Sequence, residues 1–353
     1  MSALTLGFIP LTDCAPLIVA QDRGLFAAEG LDVALSREAS WATIRDKVAV
    51  GALDAAHMLA PMTLAATAGI GEPAAPMLAP LALAVNGAGV TLSNRLIHAL
   101  PTGAETPQET AMALAGFIAQ GRAAGEPPLT FAVVFPFSMH MYALRYWLAS
   151  AGVDPDRDVR LVVVPPPRMV EQLRTGQVDG ICVGAPWNTV ASRGGLGRVV
   201  LRTSQFWPAG PDKVLGVTAE FARREPQHLQ ALLRALVRAQ AWCDAPENHR
   251  DLADLLSRPE YVGAEADVIA PAIADELVFH RDGASVPRLE HARWFLDQMR
   301  RWNQIGPEVD AAGLATAVYR PDLALEALRA TGLATPILPA PGPLFDGKTA
   351  GSA

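Results

Sequence analysis

Lysine is almost missing from this chain. Lys47, Lys213 and Lys348 are its only lysines, so Arg supplies nearly all of the 29 positive charges, and a lysine that remains draws attention. Cysteine is scarce as well. Cys14, Cys182 and Cys243 are odd in number and far apart, which excludes a CxxC zinc site and a disulfide framework. They read as buried thiols of a reducing compartment. Long apolar runs are missing too: Met77–Val85 is strand-length and carries Pro80, far short of the roughly 18 consecutive apolar residues of a membrane span. A net charge of −7 with no basic run argues against direct nucleic-acid binding. The sequence motifs of a P-loop, a nucleophile elbow and an HExxH metal helix do not occur. Asp154, Asp156 and Asp158 lack the Gly and distal Glu of a calcium loop, so they read as a solvated turn.

What is present is a long globular chain of 353 residues, half of them apolar, enough for two lobes with their own cores. Strand and helix signals alternate from Leu4 onward. Leu4–Ile9, Leu31–Leu35, Ala55–Leu59 and Leu78–Val85 read as strands, with helices over Cys14–Glu29 and Trp41–Val50. The programme then runs again: strands at Leu129–Phe135, Val159–Val164 and Gly180–Val183, with helices over Ser138–Ser150 and Met169–Thr175. "GALDAAHMLAP" (Gly51–Pro61) aligns with "GQVDGICVGAP" (Gly176–Pro186), and "FIPLTDC" (Phe8–Cys14) with "VFPFSMH" (Val134–His140). Such self-similarity predicts two α/β lobes of like build. After Trp207 the pattern is mainly helical, over Glu225–Ala245, Arg250–Leu256 and Leu289–Ile305.

Both passes place a Thr or Ser just beyond the carboxyl end of their first strand, where open α/β sheets bind ligands and helix N-termini favour anions. Thr12, Asp13 and Ser138 are therefore candidates for ligand contact, with plain N-capping as the alternative. Trp41 opens a helix after Ser40, as a core residue or as a flat surface for a planar ligand. His140 lies in a first helical turn, and Lys213 ends the Gly/Pro loop of "WPAGPDKVLGV".

These residues carry a resemblance. "LGFIPLTDCAPLIVAQDRGLF", "SREASWATIRDK", "DAAHMLAPMTLA", "FPFSMHMYALRYWLASAGVDPDRDV", "VVPPPRMVEQL", "DGICVGAPWN" and "PDKVLGVTAEF" together resemble the nitrate- and bicarbonate-binding proteins of ABC transport systems and the cytoplasmic nitrate sensors related to them. The resemblance implies a type II periplasmic-binding-protein fold, two α/β lobes closing over one small anion. Lobe I would comprise residues 1–86 and 207–333, and lobe II residues 87–206. The resemblance also implies that Trp41, His140 and Lys213 hold the anion. Apart from the resemblance, the Pro-rich stretch Pro336–Pro343 and the Gly/Ser end mark residues 334–353 as a flexible tail. The blocks "NGAGVT" and "GAPWN" add Asn86, Gly87, Pro186 and Trp187 as ligand-binding candidates. Ala88 stands where transporters carry a Gln ligand, and Ala185 where many relatives carry Glu, a departure that counts against bicarbonate.

No cofactor, metal or catalysis is called for by this reading. Met1-Ser-Ala has neither the basic nor the apolar region of a secretory leader. The expectation is thus a cytoplasmic nitrate sensor acting through an RNA-binding antiterminator. The alternative is the solute-binding component of an ABC transporter facing a permease, periplasmic if the true start lies upstream.

Overall fold

The computed structural model describes residues 4–71, 73–101, 103–335, 338 and 340–349. Among the described residues ten strands form two sheets of five. The strands are β1 (Leu4–Phe8), β2 (Val33–Arg37), β3 (Ala55–Leu59), β4 (Met77–Val85), β5 (Ala88–Ser93), β6 (Leu129–Val133), β7 (Val159–Val163), β8 (Gly180–Gly184), β9 (Gly197–Arg202) and β10 (Pro211–Thr218). The first sheet runs β2-β1-β3-β10-β4 and the second β7-β6-β8-β5-β9. In each, three strands lie parallel, as the strand–helix alternation predicts. The fourth strand of each order is antiparallel and comes from the far side of a crossing: β10 enters the first sheet and β5 the second. Helices flank both sheets. On the first, Ala15–Asp22 packs against Pro226–Asp244, and buried Gln240 donates from Nε2 to the carbonyls of Ala82, Leu83 and Phe279 at 2.7, 3.0 and 2.9 Å.

Several elements differ from the sequence reading. The helix expected over Cys14–Glu29 is broken into a 3-10 turn at Thr12–Cys14, a helix at Ala15–Asp22 and a short one at Leu25–Ala28. Gly24 takes φ +67° at the break, which glycine adopts at little cost. β5 and β9 lie in stretches whose period-2 signal is masked by Gly, Thr and Arg. Their register comes from pairing instead, with Val90 between Cys182 and Leu201.

The chain crosses between the sheets twice, and the crossings are tied together. Asn86 N donates to Gly210 O at 2.9 Å, and Gly210 N donates to Asn86 Oδ1 at 3.0 Å. Thr203 Oγ1 donates to Ala88 O and accepts from Ala88 N, both at 3.1 Å. Gly87 has φ +82°, and a Cβ there would lie 2.3 Å from Leu277 Cδ2.

The tail expected to be flexible is anchored in its described part. Leu344 is buried. Phe345 N donates to Phe206 O at 2.9 Å, Trp207 Nε1 to Gly342 O at 3.0 Å and Tyr146 Oη to Asp346 Oδ2 at 2.9 Å. Phe345 packs its ring against Phe206 and Tyr146, and that apolar anchor offsets the entropy of a Pro/Gly-rich segment. Residues 336, 337, 339 and 350–353 lie outside the described residues.

Candidate functional site

The carboxyl ends of β1, β3, β6 and β8 face a cleft between the sheets, and polar side chains collect there. Asp13 sits in the 3-10 turn after β1 and His57 within β3. Ser40 caps the helix Trp41–Ala49 by accepting from Thr43 N, which puts Trp41 at its first position. Ser138 caps Met139–Ser150 in the same way, putting His140 in the first turn.

Asp212 and Lys213 are neighbours on β10. In regular pleating their side chains would point to opposite faces. The register slips between Pro211 and Lys213, and such an irregularity lets two successive side chains reach one place. Lys213 Nζ lies 2.6 Å from Asp212 Oδ2 and 2.9 Å from Asp13 Oδ2. His57 Nε2 lies 2.9 Å from Asp13 Oδ1, and Ile9 N donates to His57 Nδ1 at 3.5 Å, assigning the proton of a neutral ring to Nε2. His140 Nδ1 is 3.8 Å from Asp212 Oδ1. The Trp41 ring lies 5.3 Å from that of His57 and 5.6 Å from Lys213 Nζ.

Every member of this cluster is buried. Burial alone would raise Asp13, but Lys213 and His57 override it and hold its carboxyl well below the usual range. Burial pushes Asp212 up to about 6, with Lys213 opposing and Asp13 assisting. Burial also disfavours Lys213 as a cation, yet the two carboxylates hold its pKa above the ordinary value. His57 is lowered by burial despite Asp13, and His140 well lowered by burial and by Lys213.

The cluster leaves polar capacity unspent. Trp41 Nε1, Thr12 Oγ1 and both ring nitrogens of His140 have no hydrogen-bond partner. Buried polar atoms are normally satisfied, so this group makes the cleft the candidate ligand position.

The structure thus brings together Trp41, His140, Lys213 and Asp13, with Thr12 preceding Asp13 in the 3-10 turn. Ser138 stands beside them but its hydroxyl is spent, donating to Phe135 O at 2.7 Å and accepting from Met141 N at 3.1 Å. Asn86 and Gly87 belong to the crossings described above. Pro186 follows Ala185 at the start of the helix Trp187–Arg193, and Trp187 holds the lobes together by donating from Nε1 to Pro10 O at 3.1 Å. Thr12 N makes a second such bond, to Ala185 O at 2.9 Å. His57 and Asp212 are absent from the sequence reading. His57 lies in the quoted repeat "GALDAAHMLAP" and Asp212 directly precedes Lys213, but neither shows locally that it is buried against a charge.

Two α/β lobes, linked by two crossings and closed on a buried polar cluster, define a bilobal binding protein of the type II periplasmic-binding fold. A family model described as the NMT1-like family matches residues 1–257. The nitrate/nitrite binding protein NrtA of Synechococcus elongatus is 35% identical over 355 residues, covering 94% of this chain and 79% of that protein. The nitrate import ATP-binding protein NrtC of Synechocystis sp. is 37% identical over 349 residues, covering 93% of this chain but 50% of that protein, so the chain spans about half of that relative. The crystal structure of the periplasmic nitrate-binding protein NrtA from Synechocystis PCC 6803 matches with a TM-score of 0.90 at 31% identity, covering 98% of this chain and 94% of that one. This chain belongs to the NMT1-like family and, within it, to the nitrate/bicarbonate-type solute-binding proteins that include NrtA.

Proposed function

We propose that the chain binds nitrate or nitrite in the cleft, held by Lys213, His140 and Trp41. The observation that carries this reading is the set of buried donors without partners around one buried ammonium, Lys213 Nζ. Desolvating an anion is costly unless charge and hydrogen bonds replace its water. A single lysine already ion-paired to Asp13 and Asp212, with neutral N–H donors around it, has no surplus charge for doubly charged sulfate and suits at most a small monovalent oxyanion. The flat Trp41 indole beside the ammonium suits a planar ion. Lobe closure then depends on the ligand's differential affinity for the closed form.

Calorimetric titration with nitrate, nitrite, bicarbonate and sulfate tests this reading: micromolar-range heat with nitrate or nitrite is the expected result, and none with either ion rejects it.

For the downstream role we favour a cytoplasmic sensor whose closed form alters its grip on an RNA-binding antiterminator. The sequence blocks quoted above and the three free, buried thiols support this. The transport reading, in which the closed form docks on an ABC permease, is supported by the match to NrtA. Affinity capture with and without nitrate separates them. A regulator released by nitrate supports the sensor, and retention of a permease supports transport.

A further inference from the structure

The charges around the anion position do not balance. Lys213 is one cation set against two carboxylates, Asp13 and Asp212, all buried. The remaining titratable neighbours do not correct this. His57, on β3, has its Nδ1 occupied by the Ile9 N–H and so has no room there for a second proton. His140, on the helix Met139–Ser150, is held neutral by burial and by Lys213. Cys182, on β8, faces Asp212 with its thiol pushed far up by burial. A monovalent anion entering this cluster adds a further negative charge in a water-excluded place, where uncompensated charge is strongly unfavourable.

Building on the proposed anion site, we infer that Asp212 makes ligand binding proton-linked: each anion enters with one proton from solvent, carried by the Asp212 carboxyl. The geometry sets Asp212 apart from Asp13. Asp13 is clamped on both oxygens, by His57 Nε2 and Lys213 Nζ. Asp212 has Lys213 on one oxygen, while the other faces His140 Nδ1 across 3.8 Å without a hydrogen bond. Protonated, that carboxyl becomes a neutral O–H donor, either to the anion or to the His140 ring. The balance is simple: a carboxylate, a solvent proton and an anion give a carboxylic acid beside a bound anion, and no covalent bond to the ligand forms.

The direction of the pH effect follows from the raised carboxyl of Asp212, at about 6. Below that pH the proton is already in place, so binding takes up none and affinity is flat. Above it the proton comes from solvent, and affinity weakens about tenfold per pH unit.

Titration calorimetry of the full chain with sodium nitrate, in buffers of unlike ionisation enthalpy at pH 5 and pH 8, counts the protons. The expected count is near one per nitrate at pH 8 and near zero at pH 5. Asp212→Asn should bind nitrate with a count near zero at both. A wild-type count of zero at pH 8, or an unchanged count in Asp212→Asn, overturns the inference while leaving the anion site standing. Absence of heat with both nitrate and nitrite at pH 5 as well as at pH 8 overturns the anion site itself. Should Asp212→Asn not fold, infrared difference spectra of the wild type on nitrate addition provide the second readout. A new protonated-carboxyl band is expected, and its absence rejects Asp212 as the carrier.

Discussion

The first lobe brings Asp13, Trp41, His57, Asp212 and Lys213 to the cleft, whereas the second brings His140 and the backbone carbonyl of Ala185. The two sheets share one strand arrangement, and both lobes use a Ser-capped helix to present one ring at the cleft. The charge, however, is almost all on one side. A charged first lobe thus faces a nearly neutral second lobe: the first holds the ion-pair network, and the second covers it like a lid with the unpartnered ring of His140.

The sharpest way to break this asymmetry is Lys213→Met. It leaves two buried carboxylates facing each other without their cation and should cost about 3–5 kcal/mol of stability. Nitrate binding should vanish with it. A thermal melt and a nitrate titration of the same sample check both, and a near-native melt would contradict the charged-lobe description.

Next in size is the pH dependence of folding. The folded Asp212 carboxyl, at about 6, lies above its unfolded value of 3.8. Its contribution is therefore complete below about pH 4 and is lost as pH rises through about 6, on the order of 2–3 kcal/mol. Asp13, lowered in the fold, works the other way, contributing above about pH 4 and losing that contribution on acidification. Denaturant unfolding from pH 3 to pH 8 should show both limbs, and Asp212→Asn should flatten only the upper one.

On the lid side, His140→Ala should weaken nitrate binding by about 2 kcal/mol, roughly thirtyfold, because it removes a buried hydrogen-bonding group to a charged ligand. The anion-free protein should melt much nearer to wild type than Lys213→Met does. Equal destabilisation by the two variants would erase the distinction between the lobes. The smallest effect belongs to Trp187→Phe, which deletes the bond to Pro10 O between lobes and should cost the closed form about 0.5–1.5 kcal/mol. Small-angle scattering should show a larger radius of gyration without nitrate and recovery with it.

Much of this organisation is legible in the residues themselves. The alternation of strand and helix, the second pass from Leu129, and the helix starts at Ser40 and Ser138 follow from short-range patterns. They put Trp41 and His140 at the mouths of helices. The scarcity of lysine singled out Lys213. Asp212 went unseen because alternation assigns it to the opposite face from Lys213, and only the register slip in β10 reverses that. His57 reads as one more strand residue until Asp13, which lies 44 positions earlier in the numbering, closes on its Nε2. The tail shows the converse error: its Pro and Gly content reads as loose, while Leu344 and Phe345 find an aromatic anchor at Phe206 and Tyr146.

The amino-acid order by itself therefore determined two α/β lobes and the rings each offers to the cleft, because periodicity and capping act over a few residues. The tertiary structure decided that Asp13, His57, His140, Asp212 and Lys213 share one buried cluster. Charge state depends on burial and on neighbours distant in sequence, and both exist only once the two crossings have set the lobes face to face.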